Sequence, residues 1–221
     1  AYINRDFYGG RLRVAADQES LRVPTKARPG LAWTDVPAAA GSDRRGNVND
    51  AELQAIVAHL EDLLVAQGYD GSVGIVTPFR PQALAIGEAV ADRVPSDRRE
   101  AAELRIGTVD SFQGQERDLI LFSPVVHARA APSAVSFLQK DWRRLNVAIS
   151  RARAVAHVFG DLAYARSGAV RRLQSLAAQA TEPRRPAAEG VFDSVWERRL
   201  YDAMRGRGLE PHPQYEIAGR R

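Results

Sequence analysis

The sequence predicts an α/β fold in layers, built on a mostly parallel sheet. Three short runs rich in apolar and β-branched residues, at 72–77, 118–126 and 155–159, are typical of buried strands. Segments with helical spacing of apolar residues separate these runs. Continuous apolar strands that alternate with helices indicate a parallel sheet covered on both faces.

The chain is expected to begin without regular structure and to continue as a helix. Residues 1–50 are predicted to be irregular, because Gly-Gly, Pro-Gly and Gly-Ser pairs recur in them. Residues 49–68 form the clearest helix of the sequence. Asn49 can cap it, Glu52 stands at the capping-box position, and Gly68 can end it.

The remaining elements alternate regularly along the chain. They are a strand at 72–77, a helix at 81–93, a strand at 104–109, a polar turn at 110–116, a strand at 118–126, a basic helix at 140–152, a strand at 155–159 and a helix at 166–180. Ligands of open α/β sheets bind at the carboxyl ends of the strands. We therefore expect residues 77–80, the polar turn and the basic helix to converge on one edge of the sheet.

Composition supports a globular domain and excludes several kinds of chemistry. The 221 residues are 45% hydrophobic, which suffices for a core, and the absence of cysteine excludes disulfides and thiolate sites. No apolar run approaches the roughly 18 residues that a membrane span needs, and the amino terminus lacks a signal-peptide pattern. A cytoplasmic location is expected.

Arginine supplies nearly all of the positive charge. Of 31 lysines and arginines only Lys26 and Lys140 are lysines, and neither follows a glycine, so the sequence holds no G-x-x-x-x-G-K-[ST] phosphate loop. Residues 140–172 carry eight basic and two acidic side chains, so this stretch has a net charge of +6, which exceeds the net charge of +4 of the whole chain. This stretch is either a solvated helix face or a set of guanidinium groups that contact phosphates.

Three motifs resemble those of superfamily 1 helicases of the 5′-to-3′ branch, the group related to nonsense-mediated-decay and DNA-replication helicases. Residues 107–118 (GTVDSFQGQERD) resemble motif V, residues 143–153 (RRLNVAISRAR) resemble motif VI, and residues 77–82 (TPFRPQ) resemble motif IV. Residues 4–12 (NRDFYGGRL) weakly resemble the stretch after that family's Tyr-Arg motif. The resemblance implies the second RecA-like lobe of an AAA-type ATPase, a three-layer α/β/α domain over residues 1–180.

The same resemblance implies an ATP site shared between two lobes. The missing first lobe would supply the phosphate-loop lysine and the Mg²⁺ ligands, so no metal ligand is assigned here. Arg151 matches the family's arginine finger, and Gln113, Gly114 and Glu116 match residues near the nucleotide. Simpler alternatives stay open: Arg151 as a surface helix arginine, and Glu116 as a carboxylate at the start of a helix.

Single-stranded nucleic acid, DNA in preference to RNA, is the implied partner together with the first lobe. Pro78, Phe79, Thr108, Ser111 and Arg144 match the family's nucleic-acid surface, where Phe79 could stack on a base. Phe79 fits a core position nearly as well, and Ser111 could equally be a helix N-cap.

A second, incomplete domain is expected after a linker. Residues 181–190 have linker composition, with two prolines, a glycine and no large apolar side chain. Residues 191–221 hold a helix at 191–207 and a short strand at 214–217. Residues 192–204 (FDSVWERRLYDAM) and 208–217 resemble the opening of a restriction-endonuclease-like domain related to mismatch-nicking repair endonucleases. In that fold Glu197 would be the acid of the first helix, and the metal ligands would come later.

These patterns predict the second motor lobe of a helicase, inactive as an ATPase by itself. The alternative is a non-catalytic nucleic-acid-binding module with the same fold. A helicase joined to a nuclease would suit DNA repair or defence against foreign DNA.

The basic stretch gives a measurable expectation for the isolated chain. It should bind single-stranded nucleic acid weakly, and its affinity should fall as salt rises, because arginines at phosphates displace counterions. Fluorescence anisotropy over a salt series measures this dependence. A slope near zero would mean that the arginines of 140–172 do not contact phosphates.

Overall fold

A five-stranded parallel sheet organises the larger part of the molecule. The computed structural model describes residues 21–25, 27–38, 43–44, 47–112, 115–140, 142–181 and 195–206. The chain divides into two compact units, residues 1–181 and 182–221. The sheet belongs to the first unit and has the order β1-β7-β6-β4-β5, with every neighbouring pair parallel.

Strands and helices alternate as the sequence predicts. The strands are β1 (Gly30–Asp35), β2 (Asp43–Arg44), β3 (Val48–Asn49), β4 (Val73–Thr77), β5 (Arg105–Thr108), β6 (Arg117–Phe122) and β7 (Ala152–Gly160). The helices are α1 (Asp50–Glu61), α2 (Arg80–Arg93), α3 (Ser96–Ala101), α4 (Pro132–Lys140), α5 (Trp142–Ser150), α6 (Leu162–Arg166), α7 (Arg171–Thr181) and, in the second unit, α8 (Val195–Arg205). Strands β2 and β3 form a separate antiparallel pair.

The sheet is buried on both faces, which confirms the RecA-like three-layer prediction. Along β6, Leu119 and Leu121 enter one apolar cluster, whereas Ile120 and Phe122 enter the other. The first cluster joins the sheet to α1 and α2, and the second joins it to α4, α5 and α7. Burial of alternate residues on opposite faces explains why the strand sequence is a continuous apolar run.

Helix α1 starts as predicted, but its capping box is only half formed. The Asn49 side chain accepts a hydrogen bond from the Glu52 N–H at 3.1 Å. The Glu52 carboxylate does not return to the Asn49 N–H, which donates to Gln82 Oε1 instead at 2.9 Å. The last turn of the predicted helix is a π-helix, Asp62–Ala66, and Gly68 follows it with a positive φ of 63°.

Glu52 turns inward and becomes the centre of a buried polar network. Its Oε2 accepts hydrogen bonds from the Ser123 hydroxyl and, at 2.9 Å, from the Val125 N–H. The Gln82 side chain also donates to Ser123 Oγ at 3.0 Å. Burial raises the pKa of Glu52 to about 8, and the bonds from Ser123 and Val125 partly oppose that shift. The network ties α1 and α2 to the segment that follows β6.

The prediction of an irregular segment at residues 1–50 is wrong at β1. This strand pairs in parallel with β7, from Gly30 opposite Val155 to Asp35 opposite Gly160. Its residues are at most half-buried, because β1 lies at the edge of the sheet. A half-exposed strand whose partner lies more than 120 residues away lacks the local apolar run that identified the other strands.

Several predicted boundaries also change. Strand β6 stops at Phe122 instead of residue 126, since Pro124 lacks an N–H and Val125 has a positive φ of 69°. The basic helix is shorter than predicted and follows a separate helix, α4, that was not expected. The helix predicted at 166–180 begins only at Arg171, because Gly168, with a φ of 83°, separates α7 from a short helix, α6, that was not predicted. The short helix α3 was also missed.

A pair of packed histidines gives the fold a pH dependence. The rings of His59 and His157 lie 5.0 Å apart, and His157 Nε2 lies 2.8 Å from Thr34 Oγ1. Burial, with a smaller contribution from the positive charge of a protonated His59, lowers the pKa of His157 to about 4. Burial also lowers the pKa of His59. The unfolded chain protonates histidine near pH 6.5. Between about pH 6.5 and 4 it therefore binds more protons than the folded chain, so stability falls as pH falls.

The substitution His157→Asn should remove part of this dependence. The native chain should lose up to about 3 kcal/mol of unfolding free energy relative to the variant as pH falls from about 6.5 to 4. Urea denaturation at several pH values measures that difference, in which the opposite contribution of Glu52 cancels. A difference that stays constant across the range would contradict the burial of a neutral His157.

Candidate functional site

The residues of the three motifs lie at two opposite edges of the sheet. Strands β4 and β5 end at Thr77 and Thr108, so motif IV and the start of motif V lie at what we call the carboxyl edge. Glu116 and Arg151 directly precede β6 and β7, at what we call the amino edge. The expectation that all three polar clusters converge on one edge is therefore only partly right: each cluster reaches the carboxyl edge, but Glu116 and Arg151 lie at the amino edge. Motif V runs from the carboxyl edge to the amino edge, and helix α5 of motif VI runs in the same direction.

At the carboxyl edge, side chains from all three motifs form one series of contacts. Phe79 packs on Phe137 of α4, with ring centroids 5.5 Å apart. The guanidinium carbon of Arg144 lies 5.1 Å from the centroid of the Phe137 ring. Arg144 also forms an ion pair with Asp110. These contacts fix motif VI against the turn of motif V, with Phe137 between motifs IV and VI.

The start of motif V is a tight turn in which Ser111 packs closely against Gly107 at the end of β5. Residues Val109–Phe112 form a 3₁₀ helix, within which the Ser111 hydroxyl donates to the Thr108 carbonyl at 2.7 Å. A Cβ at Gly107 would lie 2.2 Å from Ser111 Oγ, too close for any other residue without a shift. Ser111 therefore closes this turn and does not stand at the start of a helix, which corrects the N-cap alternative. Thr108 is half-buried and Ser111 is exposed.

Motif IV is less accessible than predicted. Pro78 is buried, and Phe79 is 8% exposed within the apolar cluster that contains Val109 and Phe112. The core alternative thus describes Phe79, and the expectation that these two residues lie on the surface is wrong. The exposed aromatic ring at this edge is Phe137, at 36%.

Sequence reasoning missed Phe137 because it missed helix α4. A signal was present, since Pro132 stands at the first helical position, where proline is favoured. The predicted helix at 140–152 also joined two elements that the structure separates. Asp110, the partner of Arg144, was read only as part of a polar turn.

At the amino edge, Glu116 and Arg151 directly precede two neighbouring strands, β6 and β7. Arg117 pairs with Ala152, and the Arg117 N–H donates to the Arg151 carbonyl at 2.9 Å. Glu116 is exposed and leads into a strand, so the alternative that it begins a helix is wrong. The backbones of Glu116 and Arg151 are thus held side by side.

The Arg151 side chain is half-buried against its own helix. Its guanidinium donates to the Val147 carbonyl and to Ser150 Oγ, each at 3.3 Å. In the part of the chain that the structure describes, no carboxylate lies within ion-pair distance of Arg151. The bonds that hold it are neutral and long, so its charge is available to an anionic ligand.

A polar clamp holds the strands next to Arg151. Asp118 is 7% exposed, and its Oδ2 accepts from the Ser72 N–H at 2.9 Å and from the Ser72 hydroxyl at 2.8 Å. Arg153 Nε lies 3.3 Å from Asp118 Oδ1, and Arg153 Nη2 lies 3.1 Å from Ser72 Oγ. The clamp lies where the pairing of β6 and β7 shifts register between Arg117 and Leu119. The clamp gives Arg153 a structural role.

Some predicted residues lie outside what the structure describes. These are Gln113, Gly114, the side chains of Arg143 and Glu197, residues 182–190 of the linker and the strand at 214–217. Across the described ranges, no three His, Asp or Glu residues group as metal ligands. None of the described helices is both long and apolar enough to cross a membrane.

Comparison with known proteins agrees with the motifs. A family described as AAA domain matches residues 1–163. The chain is 35% identical over 134 residues to "Putative helicase MOV-10" of Gallus gallus, covering 52% of this chain and 13% of that protein. It is 31% identical over 183 residues to "Putative helicase mov-10-B.2" of Danio rerio, covering 72% of this chain and 18% of that one.

A third relative carries a more specific name. "DNA replication ATP-dependent helicase/nuclease JHS1" of Arabidopsis thaliana is 32% identical over 121 residues, which cover 54% of this chain and 8% of that protein. The chain thus spans less than a fifth of the length of each of these three relatives.

The clamp predicts a stability effect of Ser72→Ala. The substitution removes the hydroxyl that bonds Asp118 and Arg153 and leaves the buried Asp118 N–H without its 3.0 Å acceptor. We expect the free energy of unfolding to fall by about 1–3 kcal/mol. Urea denaturation measures it, with Ser96→Ala on an exposed helix start as the matched control. Equal stability of the two variants would show that the clamp does not hold these strands.

Proposed function

The chain belongs to the AAA domain family. We propose that it is the carboxyl-terminal motor lobe of an ATP-dependent helicase. In this proposal Arg151 is the arginine finger and Glu116 lies near the nucleotide. The observation that carries the proposal is the pairing of β6 with β7, which holds Glu116 beside an Arg151 that no described carboxylate neutralises.

ATP with Mg²⁺ is the proposed cofactor. A guanidinium at the γ-phosphate neutralises the charge that develops as the phosphoryl group is transferred. The available charge of Arg151 fits that task, and Glu116, which is exposed and precedes the neighbouring strand, is proposed to contact the same ligand. The phosphate-binding lysine and the Mg²⁺ ligands are assigned to a first RecA-like lobe of the same polypeptide.

Single-stranded nucleic acid is the proposed substrate, bound at the carboxyl edge. Thr108 and Ser111 offer hydroxyls and Arg144 offers a guanidinium, all of which suit phosphate oxygens. The name of the JHS1 relative, a DNA replication helicase/nuclease, supports DNA over RNA. With Pro78 and Phe79 buried, they take no direct part in this surface.

The two proposed ligands are linked by one helix. Arg144 near the start of α5 faces the carboxyl edge, and Arg151 directly after its end lies at the amino edge. Seven residues of helix span about 10 Å. A shift of α5 on nucleotide binding would therefore move a residue of the nucleic-acid surface as well.

Residues 191–221 are proposed to open a restriction-endonuclease-like domain. Helix α8 coincides with the first helix that the resemblance requires. The name of the JHS1 relative joins helicase and nuclease in one protein, which supports this arrangement.

Arg151→Ala in the complete polypeptide, with its phosphate-loop lobe, tests the motor assignment. We expect ATP hydrolysis stimulated by nucleic acid to fall by about 10³-fold or more, because the developing phosphoryl charge loses its finger. Affinity for single strands should change little. Arg98→Ala, on the exposed helix α3, is the matched control.

Two outcomes separate the motor from the alternative. ATPase activity that survives Arg151→Ala would refute the finger. A complete polypeptide that binds single strands but never hydrolyses ATP would favour the non-catalytic binding module.

A further inference from the structure

We propose that Phe137 and Arg144 form a subsite for one unpaired nucleobase and its neighbouring phosphate at the carboxyl edge. This inference rests on the proposed function and adds to it a base-contacting residue that none of the three motifs contains. It starts from the contrast between two neighbouring aromatic rings, one buried and one exposed.

Phe137 is held in place and yet remains accessible. Its ring packs on Phe79, which is 8% exposed and fixed in the apolar core, whereas Phe137 itself is 36% exposed. Because Phe79 holds the Phe137 ring in one orientation, a base that stacks on Phe137 does not pay the entropy of ordering that side chain. Stacking on an aromatic face is available to every base and depends little on sequence.

Arg144 supplies the charge that a nucleotide requires. Its guanidinium carbon lies 5.1 Å from the Phe137 ring centroid, and Asp110 holds it from the side of motif V. Two more exposed cations lie close along the chain: Arg80 follows Phe79, and Lys140 stands three residues after Phe137 on the same helix. An exposed aromatic ring among cations complements a planar base attached to an anionic backbone.

An apolar protein partner would need a different surface. Among the described residues of the first unit, the large apolar side chains that are exposed lie on three different elements: Val65 on the π-helix, Leu84 on α2 and Phe137 on α4. Protein-protein interfaces bury a contiguous apolar centre. A single ring beside guanidinium and ammonium groups fits one base better.

The test compares two oligonucleotides and uses the 221-residue chain. Affinities for a single-stranded oligothymidylate and for an abasic oligomer of equal length are measured by fluorescence anisotropy at low salt. The native chain should prefer the oligomer with bases, by about 5- to 100-fold. Phe137→Leu, which keeps apolar contact with Phe79, should lose that preference, and Phe137→Tyr should restore it.

The control and the contrary outcomes are specific. Val65→Ala, an exposed apolar side chain of the π-helix, should leave the preference unchanged. A Phe137→Leu chain that discriminates as well as the native chain would overturn the subsite and leave the proposed function standing. Absence of binding to both oligomers would overturn the nucleic-acid surface itself, and the subsite with it.

Discussion

The common direction of the five strands is the constraint on which the rest of the molecule depends. Because every neighbouring pair is parallel, whatever follows a strand lies at one edge, and whatever precedes a strand lies at the other. Thr108 ends β5, whereas Glu116 and Arg151 precede β6 and β7. The separation of the residues proposed to bind nucleic acid from those proposed to bind the nucleotide is thus a consequence of strand direction. Both motif V and motif VI are long because each must cross the sheet once.

Much of the fold was predictable because its signals are local. The apolar face of α1 and the continuous apolar runs of β4 and β6 depend on residues within a few positions of each other. Strand β1 was not predictable in this way, since its pairing with β7 decides its conformation and its own residues are half-exposed. The inward orientation of the Glu52 side chain was also not predictable. Its hydrogen-bond donors, Ser123 and Val125, lie more than 70 residues away in the sequence.

The site was predictable in composition but not in arrangement. Arg151, Glu116, Thr108 and Arg144 were found as motif residues, but a motif does not state which edge each side chain occupies. The contrast between Phe79, which was expected on the surface but is buried, and Phe137, which is exposed, shows the same difficulty. Both are phenylalanines near basic residues, and their exposure follows from the packing of α4 on motif IV. Only three-dimensional contacts tell a core ring from a surface ring.

The length of helix α5 carries a consequence for sequence variation. Arg144 and Arg151 stand two helical turns apart, and each helical residue turns the chain by about 100°. An insertion or deletion of one residue within α5 would rotate one arginine to another side of the helix and detach it from its edge. In homologous chains, substitutions within this helix should therefore be far more common than insertions or deletions. Insertions and deletions should occur in the loops on either side.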